Sequence, residues 1–190
     1  MDEIKFELRE ADLAHPALHN AMLLMVEYNG ILKAIGTAVS VVPGLAFTAS
    51  HVVNPERWGT NENTNQKTGF VALQFYDDKF WPWSVESIYG SVSYDIAVLT
   101  LRKPDWWETA PEELRVKFPR LNFNPPQPGD EVQVFGFPET EFENGIFYIK
   151  PSQCSAVVES IEHHCENSDI ARSHVKLRGQ LLNGMSGGPC

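Results

Sequence analysis

Short apolar runs separated by glycine and proline dominate this chain, a pattern typical of all-β proteins. Six runs in the first half predict strands, at residues 21–28, 31–42, 45–50, 70–76, 83–89 and 95–101. Asn29-Gly30 predicts a two-residue hairpin turn, and Pro43-Gly44 predicts the next turn. Gly36 inside the second run predicts a bulge or a bend. Six strands are enough to close a small barrel.

The second half of the chain begins with a change of composition. Residues 102–129 hold six of the thirteen prolines and allow one helical turn at 111–116, so they predict a linker. Four further runs predict strands at 131–137, 146–150, 154–163 and 174–178. The predicted organisation has four parts: an N-terminal arm or short helix at 1–20, a first barrel at 21–101, the linker at 102–129 and a second barrel at 130–190.

Composition and charge narrow the class of protein. The chain has 190 residues, of which 43% are hydrophobic and 21% charged, as in an ordinary globular protein. Its three cysteines are an odd number, and a chain of this length folds without disulfides. The net charge of −10 argues against nucleic-acid binding, because contacts to phosphates need clustered Lys and Arg. No apolar run reaches the roughly 20 residues of a membrane helix, and the acidic first residues do not resemble a signal peptide. We therefore expect a cytoplasmic protein with no membrane partner.

Three short segments carry side chains suited to acyl transfer. His51 follows an apolar run, Asp95 opens another, and Ser186 lies among glycines at 183–189. A serine hydroxyl needs a base within hydrogen-bond reach, and histidine is such a base near neutral pH. The imidazole in turn needs a carboxylate on its other nitrogen. Flexible glycines allow the backbone N–H groups of Gly184 and Ser186 to stabilise an oxyanion, by about 3–4 kcal/mol per donor.

At these motifs the chain resembles the trypsin/chymotrypsin-like serine peptidases. The family's His follows Thr-Ala-x, its Asp begins an Asp-Ile-Ala-Leu-like strand, and its Ser lies in Gly-x-Ser-Gly-Gly-Pro, in this order. Here the three residues are spaced 44 and 91 positions apart. The resemblance spans residues 21–190, and residues 129–138 are similar to the opening hairpin of the second barrel in intracellular and HtrA-like members.

The resemblance implies a serine endopeptidase that cleaves protein or peptide substrates through an acyl-enzyme, without a cofactor or a bound metal. His51 would be the general base, Asp95 its orienting carboxylate and Ser186 the nucleophile, with the amides of Gly184 and Ser186 as the oxyanion hole. The implied fold is all-β. It has two antiparallel β-barrels of chymotrypsin-like architecture, each of the six-stranded type, with the second barrel truncated at its C-terminal end.

Several positions depart from the digestive members of the family. Met185 replaces an Asp that pairs with a newly released N-terminus, and Val52 replaces a disulfide-bonded Cys. Both differences favour an intracellular enzyme with another mode of activation. Gln180 and Asn183 are the candidate residues of the substrate pocket. Because Gln180 stands where an Asp would select Arg or Lys, we expect no strong preference for basic residues.

The chain stops at Cys190, four residues after Ser186, whereas the family continues with two strands and a helix. An open second barrel would expose unpaired backbone groups at its edges. We therefore expect a fragment of a larger protein, or another domain or chain that completes the barrel. The alternative function is a catalytically dormant or pseudo-protease module, used for binding or regulated by a partner domain.

Other clusters have weaker interpretations. Zinc ligands could come from a group in the last third of the chain: Cys154, His163, His164, Cys165 and Cys190. Adjacent strand residues point to opposite faces and no Cys-x-x-Cys spacing occurs, so free thiols and surface histidines are favoured over zinc.

Three more features have a structural and a functional interpretation. His15 and His19 are four residues apart, as two metal ligands on one helix face would be, but no third ligand is evident. Asp77-Asp78 could bind calcium at a hairpin turn, although a solvated turn is favoured. The aromatic residues at 80–83 and the pair Trp106-Trp107 predict either a partner-docking surface or loops packed on a barrel, of which packing is favoured.

Overall fold

A computed structural model describes residues 5–8, 19–28, 31–54, 69–76, 79–112, 119, 124, 126–164 and 172–179. These residues form an all-β fold with a closed barrel and a second, open sheet. The strands are β1 (Lys5–Leu8), β2 (Ala21–Tyr28), β3 (Ile31–Val42), β4 (Leu45–Thr48), β5 (Gly69–Tyr76), β6 (Lys79–Ser91), β7 (Ile96–Arg102), β8 (Glu131–Glu143), β9 (Ile146–His164) and β10 (Arg172–Arg178). Three 3-10 turns span Ser50–Val52, Val92–Tyr94 and Asp105–Thr109.

The barrel closes in the strand order β2-β3-β4-β7-β6-β5, with every pair antiparallel. This confirms the six strands predicted for the first half. Beside Gly36 the β2–β3 register shifts, since Leu24 pairs with Gly36 and Met25 with Ala34. The predicted bulge is therefore present. Gly44 has a φ of +79°, which a side chain would strain, and its carbonyl accepts a hydrogen bond of 2.8 Å from the Leu101 amide.

Four strands form the second sheet, with β9 at its centre. Strands β8 and β10 pair with β9 antiparallel, and β1 pairs with it parallel. The sequence predicted two strands, at 146–150 and 154–163, where the structure has one continuous strand. Pro151 lies inside this strand, where the β8–β9 register shifts between the Gly136–Ser152 and Glu139–Lys150 pairs. A proline is tolerated at such an irregularity because no ladder hydrogen bond from its nitrogen is required.

Strand β1 lies in the segment that the sequence predicted as an arm or a short helix. Residues Lys5 to Leu8 pair with Ile146 to Ile149. The Phe6 ring stacks on Phe147 at 5.7 Å and meets Phe80 of the barrel at 5.8 Å. The remaining part of that prediction, at 9–18, lies outside the described residues, as does most of the predicted helical turn at 111–116.

Strand β2 is buried on both faces. All six residues from Ala21 to Val26 are 0% exposed. Met22 and Leu24 belong to the core inside the barrel, whereas Leu23 and Met25 pack with Phe137, Phe147 and Ile149 of the second sheet. One strand therefore supplies apolar side chains to two cores, and it joins the barrel to the second sheet. No helix in the described part of the chain is long and apolar enough to cross a membrane.

Replacing either of two successive β2 residues should destabilise the protein to a similar extent. Leu23→Ala and Leu24→Ala each remove a buried side chain, one from each core, and should each lower the free energy of unfolding by about 2–5 kcal/mol. Urea denaturation measures the loss. Ile31→Ala, at a position that is 54% exposed, is the control and should change stability little. If Leu23→Ala lowered the free energy of unfolding as little as this control does, the burial of both faces of β2 would be contradicted.

Candidate active site

His51 is presented by a short turn that follows β4. Strand β4 ends at Thr48, and the next residues form the 3-10 turn Ser50–Val52. The Val52 amide donates to the Ala49 carbonyl at 3.1 Å. Ser50 and Val52 are buried on either side of His51, which is exposed. Burial of these neighbours anchors the turn and directs the imidazole outward.

Asp95 is presented by the turn that precedes β7. The 3-10 turn Val92–Tyr94 ends at Asp95, whose backbone is left-handed, with a φ of 48° and a ψ of 38°. Aspartate is among the few residues other than glycine that adopt this conformation readily. Strand β7 then begins at Ile96. Because Thr48 of β4 pairs with Ala97 of β7, barrel closure brings the two turns side by side.

The two side chains are in direct contact. His51 Nδ1 lies 2.7 Å from Asp95 Oδ2 and 3.0 Å from Oδ1, and the His51 backbone N–H donates to Oδ1 at 2.9 Å. A carboxylate only accepts hydrogen bonds, so this contact places the proton of a neutral imidazole on Nδ1. His51 Nε2 is then left with its lone pair, which is the state required of a general base.

The contact is open to solvent. The side chains of His51 and Asp95 are 49% and 53% exposed. Asp95 is exposed because it follows a short surface turn whose residues are themselves all exposed. Water weakens the attraction between a carboxylate and an imidazolium, so a cover over this pair would strengthen it.

Comparisons with known proteins identify the family of this chain. A family model described as "Trypsin-like peptidase domain" matches residues 36–190. The chain belongs to the trypsin-like peptidase family. No curated protein matches it.

Solved structures with a similar fold include two proteases and Deg5. The active form of the Rv3671c protease from M. tuberculosis matches with a TM-score of 0.55 and 16% identity, over 100% of this chain and 74% of that one. The MamO protease domain from Magnetospirillum magneticum matches with a TM-score of 0.57 and 14% identity, over 93% and 80%. Deg5 gives a TM-score of 0.59 and 15% identity, over 90% and 73%. At these identities the similarity shows the fold.

The other predicted site residues lie outside the described part of the chain. These are the nucleophile candidate Ser186, the oxyanion-hole candidate Gly184 and the pocket candidates Gln180 and Asn183. Of the predicted triad, the structure therefore brings together His51 and Asp95. The roles assigned to all six of these residues stay predictions.

The described residues do not form any of the metal sites considered from the sequence. Within the described ranges, no group of three or more His, Cys, Asp or Glu is placed to hold a metal ion. Cys154 is a half-buried cysteine on β9. The side chains of His163, His164, Cys165 and Cys190 lie outside the described residues, as do His15 and Asp77-Asp78. His19 is described, and its ring lies edge-on to Tyr76 at 5.0 Å.

The aromatic group packs a loop onto the barrel. Trp106 contacts Trp81 at 4.8 Å and Trp83 at 5.2 Å between ring centroids, and its indole N–H donates to the Pro82 carbonyl at 3.0 Å. Trp107 contacts Trp83 at 5.3 Å. The 3-10 turn Asp105–Thr109 is therefore fixed against β6, which agrees with the packing interpretation.

One residue beside the site was missed by the sequence analysis. A Cβ added at Gly90 would lie 2.9 Å from the Ser50 Oγ and 3.8 Å from the Ala97 Cβ. Gly90 pairs with Ala97 on β7, so it faces the turn that carries His51. A single glycine within a strand run is the only sequence signal for such a close approach.

A large side chain at position 90 should disturb the His51 turn. Gly90→Val would crowd the buried Ser50 and lower stability by about 1–3 kcal/mol, the usual cost of overpacking. Thermal unfolding measures this loss. Ser91→Val, one position along the same strand, is the matched control and should cost less because Ser91 is not buried. Equal stability of the two variants would show that the strand yields at Gly90 without strain.

Proposed function

We propose that this chain is a serine endopeptidase domain that hydrolyses peptide bonds through an acyl-enzyme. His51 is the general base, Asp95 orients it and Ser186 is the nucleophile. The observation that carries the proposal is the hydrogen-bonded contact between His51 Nδ1 and Asp95 Oδ2, at 2.7 Å, in a member of the trypsin-like peptidase family. The likeness in fold to the Rv3671c protease and the MamO protease domain supports it.

The proposed reaction uses the free nitrogen of His51. Its Nε2 removes the proton from the Ser186 hydroxyl as the oxygen attacks the scissile carbonyl. The backbone N–H groups of Gly184 and Ser186 stabilise the tetrahedral oxyanion. The imidazolium, held by Asp95, then protonates the leaving amine, and water hydrolyses the acyl-enzyme in a second, symmetrical half-reaction.

The proposed substrate is a protein or a peptide. Gln180 and Asn183 are proposed to line the pocket for the residue before the scissile bond. Because Gln180 is uncharged, the pocket lacks a carboxylate that would select Arg or Lys, so no strong preference for these residues is proposed. The architecture proposed is the chymotrypsin-like one, with the open second sheet completed by a further segment, domain or chain.

A second candidate is a dormant protease module that a partner domain activates. The solvent exposure of His51 and Asp95 favours it, because a catalytic carboxylate works best where water is excluded. A partner that covers this pair would raise its catalytic strength. Labelling of the isolated chain by a fluorophosphonate separates the two candidates, since only a competent site reacts rapidly.

Removal of the proposed nucleophile should abolish the reaction. Ser186→Ala should lower kcat by about four to six orders of magnitude and eliminate fluorophosphonate labelling, because no other hydroxyl is activated. Peptide hydrolysis and mass spectrometry of the labelled protein measure both effects. The circular dichroism spectrum should match that of the unmodified protein. Labelling that persists in Ser186→Ala would sink the assignment.

Removal of the Asp95 charge tests the orienting role separately. Asp95→Asn should lower kcat by about 10⁴-fold, because an amide no longer holds the Nδ1 proton and stabilises the imidazolium poorly. The KM should change little, since Asp95 does not contact the substrate in this mechanism. Asp105→Asn, on the surface of the same barrel, is the control and should retain full activity. If the two variants were equally active, Asp95 would have no catalytic part.

A further inference from the structure

A second concave site lies at the opposite end of the barrel from His51. A cleft of about 310 Å³ is lined by Pro43, Gly44, Trp83, Leu101, Lys103 and Trp107. Strand β7 starts beside Asp95 and ends beside this cleft, and its seven residues span about 20 Å. The cleft is therefore separate from the proposed peptidase site. Its volume lies at the lower end of the range for small-ligand pockets.

The apolar walls of the cleft are held in place. Trp83 is 3% exposed, and its indole N–H donates to Gln74 Oε1 at 3.1 Å, so its polar atom is already satisfied inside the barrel. Trp107 lies edge-on to Trp83, and its amide donates to the Pro104 carbonyl at 3.1 Å. A pocket whose walls are fixed in advance loses little conformational entropy when a ligand enters.

The floor of the cleft is equally fixed. The turn at Gly44 is tied to β7, because the Leu101 amide donates to the Gly44 carbonyl at 2.8 Å. A Cβ added at Gly44 would lie 3.3 Å from the Leu101 carbonyl oxygen, so the glycine allows this close approach. The Pro43 ring and the Leu101 side chain complete the apolar lining beside the two indoles.

Lys103 gives the cleft its charge. It is the one charged side chain among the described residues that line the cleft. Its ammonium group contacts the carboxylate of Glu108, and the two side chains are 62% and 71% exposed. An ion pair this exposed contributes about 0–1 kcal/mol, so a ligand carboxylate can replace Glu108 at low cost.

We infer that this cleft binds an apolar group, aromatic or branched aliphatic, that carries one carboxylate. The apolar part packs against the Trp107 ring and Pro43, and the carboxylate pairs with Lys103. Lys103 attracts such an anion locally, whereas the net charge of −10 on the whole chain repels it. Two sources share this chemistry: a free organic acid and the C-terminal residue of a protein chain.

Ligand titrations with matched probes test the inference. 3-Phenylpropionate should bind saturably with a dissociation constant on the order of 1 mM, followed by saturation-transfer NMR. Its uncharged analogue 3-phenylpropionamide should bind about threefold or more weakly, because it lacks the partner for Lys103. An acetylated dipeptide ending in phenylalanine, with a free or an amidated carboxyl terminus, distinguishes the two sources: tighter binding of the free-acid peptide than of 3-phenylpropionate identifies a chain end.

Substitutions at three charged, solvent-accessible side chains test the inference further and should not disturb the fold. Lys103→Met should weaken binding of 3-phenylpropionate about threefold, and Glu108→Gln should strengthen it by a similar factor by removing the competing carboxylate. Lys150→Met, at a cation on the second sheet that pairs with Glu139, should leave binding unchanged. Equal binding of acid and amide, no saturable binding of the acid, or identical affinities for the Lys103→Met and Lys150→Met variants would each overturn the inference. None of these outcomes depends on peptidase activity.

Discussion

The burial of both faces of β2 is the constraint on which the rest of the structure depends. Met22 and Leu24 fill the barrel, whereas Ala21, Leu23 and Met25 pack with the second sheet. A strand with one polar face has its register set by polarity, since a slip of one residue would bury polar groups. That penalty is absent in β2. Register is instead fixed by the bulge beside Gly36 and by the two-residue connection between Tyr28 and Ile31.

The two halves of the proposed site depend on different parts of this arrangement. The His51–Asp95 contact belongs to the barrel alone, because β4 and β7 pair directly and present the two turns at one end. Ser186 follows β10, which belongs to the second sheet and ends eight residues earlier, at Arg178. In the proposed mechanism, the packing of Leu23 and Met25 on Phe137 and Phe147 would therefore govern how Ser186 meets His51. The proposed catalytic alignment would in this sense depend on an apolar interface.

Much of the fold could be predicted from the sequence because it is locally encoded. The β2 and β3 bounds follow from apolar runs separated by Asn29-Gly30, and the Pro43-Gly44 turn follows from its own residues. The fusion of two predicted strands into β9 could not be predicted, because Pro151 is tolerated only through the register shift of its partner strand. Strand β1 was missed since its pairing is parallel and its partner is distant. At the site, motif order predicted the contact of Asp95 with His51, whereas the exposure of Asp95 depends on tertiary packing.

The parallel pairing of β1 has a consequence for synthesis on the ribosome. Lys5 leaves the ribosome before the barrel strands, yet its partner Ile146 is made 141 residues later. All strands of the barrel lie between Ala21 and Arg102, so the barrel can form while the rest is still being translated. During that interval Phe6 has no Phe147 to stack on. The nascent chain therefore carries an unpaired, aromatic-bearing strand, of the kind that chaperones bind, until translation has passed β9.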